Sequence, residues 1–319
     1  MDYSYELSIC NSHIETRILA DSVSPGLPEE FAPFYLCSLT KKQLRQISLL
    51  NFTDLSNLES LPAIYNLPAI QAVKIENCNE LCDLSSLKYF PQLRKLELSG
   101  LNSLVALKDL KNLKHLNDLT ITRCELIVSW EPLADLLELN SFTYADSYTK
   151  SLDFLHAIPV HDALTLSDIY LLECLNELPS VKDFFISNCP QLTDISILKN
   201  NEYITNLTII NDNSITDISP VGTMANLENL TLDIPYVMDF GFLENLTGLK
   251  SLTISNNNIK NFDFLLRCIN LESVMVFSGS LENIDAIHAF PPETKFNVDL
   301  PEHLFSFYNL PNVERVSPE

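Results

Sequence analysis

Two pairs of residues have types and spacing that could hold a metal ion, Cys78 with Cys82 and His156 with His161. A zinc site needs about four such donors, and the Cys-x3-Cys pair has no second pair at a matching distance. Cys78 also falls on a recurring internal position, described below, so a structural thiol is the simpler reading. The histidines straddle a turn and the start of a strand, and neither pair is read as a metal site. Nucleophilic and phosphate chemistry lack carriers as well: the chain has no G-x-S-x-G elbow, no phosphate-binding glycine loop and no H-E-x-x-H helix. Glycine occurs only six times in 319 residues. Carboxylates are plentiful, but scattered acids on turns do not make an acid–base pair. The expectation is a protein that is not an enzyme and needs no cofactor.

The side chains must then be placed by the elements that carry them. A pattern of apolar residue, two free positions, apolar, one free position, apolar recurs along most of the chain. It stands at Leu44-Ile47-Leu49, Ile70-Val73-Ile75, Leu93-Leu96-Leu98, Leu116-Leu119-Ile121 and Leu139-Phe142-Tyr144. A weaker copy at His161-Leu164-Leu166 precedes Val181-Phe184-Ile186, Ile204-Leu207-Ile209 and Leu227-Leu230-Leu232. Leu249-Leu252-Ile254, Leu271-Val274-Val276 and a degraded Glu293-Phe296-Val298 complete the series. Successive starts lie 26, 23, 23, 23, 22, 20, 23, 23, 22, 22 and 22 residues apart. Such a period marks stacked units that share one core, each a short strand, a turn and a return segment of irregular or 3-10 backbone. Further apolar positions keep the same phase, among them the place of Trp130, the single tryptophan, which is expected in the core. The strands run alike and form a parallel sheet with one face open.

These residues resemble the leucine-rich-repeat superfamily, and Leu192-Thr193-Asp194-Ile195 and Ile215-Thr216-Asp217-Ile218-Ser219-Pro220 look like its internalin class. The resemblance covers about residues 44 to 316 and implies an α/β-type repeat solenoid, an arc or horseshoe with a concave parallel sheet. The family places an asparagine three residues after the last strand apolar. Asn257 fits that place, Cys78, Cys124 and Cys189 substitute for it, and Phe52, Leu101, Ser147, Ile169, Asp212, Pro235 and Gly279 depart from it. Irregular turns are therefore expected at 99–103, 145–149 and 167–170, with a distortion in the 20-residue unit. Residues 1–43 read as an N-terminal cap, 44–299 as about twelve repeats, and 300–319 as a C-terminal cap or truncated repeat.

The net charge is -22, and it is unevenly shared. Residues 1–150 carry 13 basic and 19 acidic side chains, residues 151–319 carry 7 and 23. Such a field repels nucleic acid and anionic membrane and speeds encounter with a basic protein. Neither a signal peptide nor an apolar stretch of membrane-spanning length is found, so a cytoplasmic chain with reduced cysteines is expected. Asn206 and Asn229, which begin N-x-T triplets, would then remain unmodified.

Function is expected on the open face. Its central column is largely Thr and Ser, which suit an exposed strand in any case. Phe185, Ile210, Met275 and Phe277 stand out, since large apolar groups on an open sheet are typical of interface centres. Asp183, Asn206, Asp233 and Asp299 would add polar and charged complementarity. The reading is a non-catalytic protein-binding module, with an immunity or inhibitor protein that occludes a basic toxin or enzyme as its concrete form. The alternatives are a scaffold or adaptor in a larger assembly, and an internalin-like adhesion or virulence protein without its export signal. Neither partner identity nor oligomeric state follows from the residues.

Overall fold

The computed structural model describes the strands at 5–11 and 14–20, then 48–299 without 56, 62–66, 68 and 211–213, and 311–315. The expected caps at 1–43 and 300–319 otherwise lie outside the described residues. The chain divides into two compact units, residues 1–147 with 154–161, and residues 148–153 with 162–319.

In the first unit, β1 (Tyr5–Asn11) and β2 (Ile14–Ala20) pair antiparallel, and β1 pairs antiparallel with β3 (Leu49–Thr53). Four parallel strands follow: β4 (Ala72–Glu76), β5 (Lys95–Ser99), β6 (Asp118–Thr122) and β7 (Ser141–Ser147). The second unit stacks β8 (Ala163–Ile169), β9 (Asp183–Ser187), β10 (Asn206–Ile210) and β11 (Asn229–Asp233). It continues through β12 (Ser251–Ser255), β13 (Ser273–Phe277), β14 (Lys295–Val298) and β15 (Val313–Arg315). Each pairs in parallel with the next.

Register follows the apolar pattern residue for residue. Leu207 lies beside Phe184 and Leu230, and Ile209 beside Ile186 and Leu232. All six are essentially shut off from water, as are Leu96, Leu98, Leu119 and Ile121 in the first unit. The return segments carry short 3-10 helices such as Glu131–Asp135 and Gly241–Asn245, each adding a buried leucine, Leu133 and Leu243. Most are entered through an Asx turn. Asp83, Asp194, Asp217 and Asp239 each accept a backbone N–H from two residues on, at 2.8 to 2.9 Å. The Thr-Asp-Ile segments that carried the family resemblance are thus turn-forming sequences. The backbone amide of Ser196 foremost holds the Asp194 carboxyl below its ordinary range, and the Ser219 hydroxyl foremost does so for Asp217.

Four expectations need correction. The first described repeat strand is not centred on Ile47-Leu49. Leu50 and Phe52 point inward, opposite Val73 and Ile75. Side chains alternate with period two, so the one-residue slip exchanges the two faces and makes Phe52 a core residue rather than a turn residue. It also removes the anomalous spacing, because Phe52 and Ile75 are one 23-residue period apart. Second, the turn at 99–103 is regular: Gly100 adopts φ 64°, and Leu101 takes the buried place held by Cys78 and Cys124. At the other two sites the strands β7 and β8 lengthen to seven residues, and the 20-residue unit lacks a 3-10 helix between β8 and β9. Third, Trp130 is only half-buried. It stacks on Phe154 at 3.9 Å and meets Tyr144 edge-on at 5.5 Å, because an indole overfills a place that Leu107 fills completely.

The fourth correction concerns the buried asparagine. In turns after β3 to β9, the residue two past the last inward strand apolar is left-handed: Asp54, Asn77, Gly100, Arg123, Asp146, Asp168 and Asn188, with φ between 52° and 64°. The next residue then points inward. In the 22-residue units after β11, β12 and β13 that left-handed residue is missing, and Ile234, Asn256 and Ser278 point inward one place earlier. Asn256 therefore holds the turn, and Asn257 is exposed. The Asn256 amide donates to the carbonyls of Ile234 at 2.6 Å and Val237 at 2.9 Å, and its oxygen accepts the Asn258 N–H at 2.6 Å. Asn256→Ala strands these groups and should cost about 2–4 kcal/mol, against less than about 0.5 kcal/mol for Asn257→Ala. Urea unfolding of both variants measures the difference, and equal losses would contradict the one-residue shift.

Candidate binding face

The outward side chains form three columns across each unit's strands. In the first unit the columns are charged and internally neutralised. Lys74 pairs with Glu76 at 2.7 Å, and Lys95 reaches Glu97 at 2.9 Å and Asp118 at 3.8 Å. Arg123 lies 3.8 Å from Glu76 and 3.5 Å from Asp146, and donates to the Ser99 hydroxyl at 3.0 Å. The Glu97 carboxylate, foremost as a hydrogen-bond acceptor, raises the Lys95 ammonium's pKa.

The second unit presents different chemistry. Its central column reads Thr165, Phe185, Thr208, Thr231, Thr253, Met275 and Asn297. The column nearer the strand starts holds Asp183, Asn206 and Asn229 on β9 to β11. Their side chains form a directed ladder in which Asn229 donates to Asn206 and Asn206 donates to Asp183. The column nearer the strand ends holds Ser187, Ile210, Asp233, Ser255 and Phe277. Asp183 is exposed, and the other strand residues expected at the site are half-buried and outward-facing. Asp299 follows β14 and is tied to the sheet by its N–H, which donates to the Val276 carbonyl at 3.1 Å.

Apart from Asp299, the expected residues fall into two groups. Asp183, Phe185, Asn206, Ile210 and Asp233 share three adjacent strands, while Met275 and Phe277 sit on β13, beyond the hydroxyl-lined β12. Four strand spacings, about 19 Å, separate Phe185 from Met275. Sequence reasoning had not singled out Asn229 within the ladder, or the tyrosines just past the strands. Tyr148 and Tyr170 contact each other at 5.0 Å, and Tyr236 is strongly exposed after β11.

The two candidate cysteines face different surroundings. The Cys78 thiol is buried and donates to the carbonyls of Phe52 and Glu76 at 3.6 and 3.5 Å, whereas Cys82 is exposed and donates to the Glu59 carbonyl. No group of three or more His, Cys, Asp or Glu side chains with metal-site geometry occurs among the described residues. Nor is any helix among them long and apolar enough to cross a membrane.

No family model matches the chain, and no curated protein does. Solved structures do. An internalin (inlF) from Listeria monocytogenes is 19% identical with a TM-score of 0.50, over 86% of this chain and 94% of that one. Another from the same species, internalin C2 (inlC2), is 18% identical with a TM-score of 0.30, over 86% and 93%. The leucine-rich-repeat domain of APL1 is 15% identical with a TM-score of 0.44, over 86% and 81%. The first likeness agrees with the strand–turn–3-10 units described above: the fold is a leucine-rich-repeat solenoid of internalin-like pattern.

Burial foremost pushes the thiols of Cys124 and Cys268 up to about 11 and also raises that of Cys78. Unfolded thiols ionise near pH 8.5, so above that pH the unfolded chain loses protons that the folded chain keeps. Stability should therefore fall as pH rises from about 8.5 towards the folded value. At pH 8, iodoacetamide should label Cys82 well before Cys78, Cys124, Cys189 and Cys268, as read by peptide mass spectrometry. Equal labelling rates in the folded protein would overturn the inward placement of the four.

Proposed function

We propose that the chain is a non-catalytic protein-binding module and that the outward face of β9 to β13, with its flanking turns, is where the partner docks. The observation that carries the reading is the contrast between the two faces. In the first unit the charged side chains satisfy one another, so a partner would have to break pairs already made. In the second, Phe185, Ile210, Met275 and Phe277 stand outward and half-buried among small hydroxyl side chains. Apolar anchors surrounded by near-neutral contacts are the usual layout of an interface centre.

Size supports the reading and extends it. Five strands about 4.8 Å apart and about 17 Å long give a face on the order of 400 Å². A standard interface buries about 800 Å² on each partner. The sheet alone falls short, and the turns carrying Tyr170 and Tyr236 would supply the remainder. The acidic excess of residues 151–319 favours a basic partner through faster encounter. In its finer form the protein works in the cytoplasm as an inhibitor or immunity protein, seated over a basic toxin or enzyme and blocking access by occupying space. That needs no cofactor and no bond chemistry.

The test begins with capture of the partner from the native host, its identification by mass spectrometry and its purification. The double variant Phe185→Asp with Phe277→Asp should weaken the complex roughly 30-fold or more by calorimetry. Thr120→Ala on the first unit should change affinity less than about twofold. An unchanged dissociation constant in the double variant would exclude this face as the docking surface.

A further inference from the structure

The three strands β9 to β11 present a three-by-three patch whose charges lie on one diagonal. Asp183 occupies one corner, Thr208 the centre and Asp233 the opposite corner. Two strand spacings and four residues separate the acids, about 16 Å along the diagonal. Phe185 and Ile210 lie to one side of that line. Asn206, Asn229 and Thr231 lie to the other.

Each of these acids lacks the partner that its counterparts have in the first unit. There Glu76, Glu97, Asp118 and Asp146 each meet a Lys or Arg within 4.0 Å. Among the described residues no cation forms a salt bridge with Asp183 or Asp233. The neighbouring Lys182 is turned to Asp162 at 3.7 Å, and Lys250 to Glu228 at 2.8 Å. Asp183 accepts the Asn206 amide and thereby terminates the ladder. Both carboxylates face outward from the sheet, hydrated and open to a cation that a partner brings.

The patch also distinguishes between backbone conformations of a guest. A helix arrives with its own N–H and C=O groups paired, whereas an extended segment must find partners for them. Asn206 uses one amide hydrogen in the ladder and keeps another, and the Thr208 and Thr231 hydroxyls can donate or accept. Resting on the docking face proposed above, we infer that the β9–β11 patch takes an extended partner segment carrying two cationic side chains. An apolar side chain between the cations rests on Phe185 and Ile210, while the cations pair with Asp183 and Asp233. Alternation in an extended chain puts every second residue on one face, so basic, apolar and basic residues at alternate positions span about 14 Å between cations, within side-chain reach of the 16 Å diagonal.

The probe is a fluorescent seven-residue peptide with arginine at its second and sixth positions, leucine at its fourth and serine elsewhere. Analogues replace both arginines by serine or by glutamate. Fluorescence anisotropy against the full chain at low salt, up to millimolar protein, should show the arginine peptide binding at least about tenfold tighter than the serine analogue. The glutamate analogue should bind more weakly still. Asp183→Asn with Asp233→Asn should shrink the preference to under about twofold, and Phe185→Ala should weaken arginine and serine peptides alike. No detectable binding of the arginine peptide, equal binding of the three, or a preference that survives the asparagine variant would overturn the inference. The docking face itself is judged separately. If the captured partner is lost from Phe185→Asp with Phe277→Asp but ignores the two asparagine substitutions, the face stands and the charged diagonal falls.

Discussion

The structure depends on side chains of one kind returning to the same height on every turn. A five-residue strand cannot bury its own apolar face, and a parallel neighbour offset by one residue would meet it with polar groups. Leu207 beside Leu230, and Ile209 beside Leu232, are one instance of a match that holds from β3 to β7 in the first unit and from β8 to β14 in the second. Interior close packing enforces it, because a slip would leave voids and bury serine and threonine without partners. The outward columns are the consequence. Once the inward residues are fixed, each intervening residue has a determined place on the open face.

The same constraint explains why two turn lengths coexist. A turn of the longer kind spends one residue in the left-handed region, tolerated by Asn, Asp and Gly and costly for Arg. Arg123 is held there by Ser99, Glu76 and Asp146, so its strain is offset by contacts that also neutralise the first unit's face. Deleting that residue in the later units leaves the inward register of the strands untouched and moves only the residue that plugs the turn. Stacking tolerates such a deletion because the turn lies at the end of the ladder, where backbone groups find other partners, as the Asn256 amide shows.

Most of the architecture was legible in the residues because a 22- or 23-residue period is a long-range signal that local propensity cannot imitate. The errors fell where period alone is ambiguous. Ile47, Leu49, Leu50 and Phe52 are all apolar, so two registers fit β3 from its own residues, and the pairing with Val73 and Ile75 decides between them. Asn256, Asn257 and Asn258 are consecutive, and only the backbone path shows which one turns inward. Trp130 occupies a repeat position, but position does not report whether an indole fits the space. Of the face, the identity and column of Phe185, Ile210, Met275 and Phe277 were readable from alternation. The Asn229–Asn206–Asp183 ladder was not, because cross-strand neighbours 23 residues apart become visible only once the register is known.

That ladder bears on how the two faces can differ while sharing one scaffold. Amide and hydroxyl side chains stacked about 4.8 Å apart can hydrogen-bond along a column, and like charges at the same spacing repel. The first unit resolves the problem by alternating sign within and between columns, as Lys95 does between Glu97 and Asp118. The second keeps Asp183 and Asp233 two strands apart and separates them with neutral Asn and Thr, so neither requires a cation for the sheet to stand. A solenoid can therefore hold unpaired charge on its face at little cost to folding, provided the acids are never on adjacent strands in one column. The arrangement leaves their electrostatic attraction for whatever settles there.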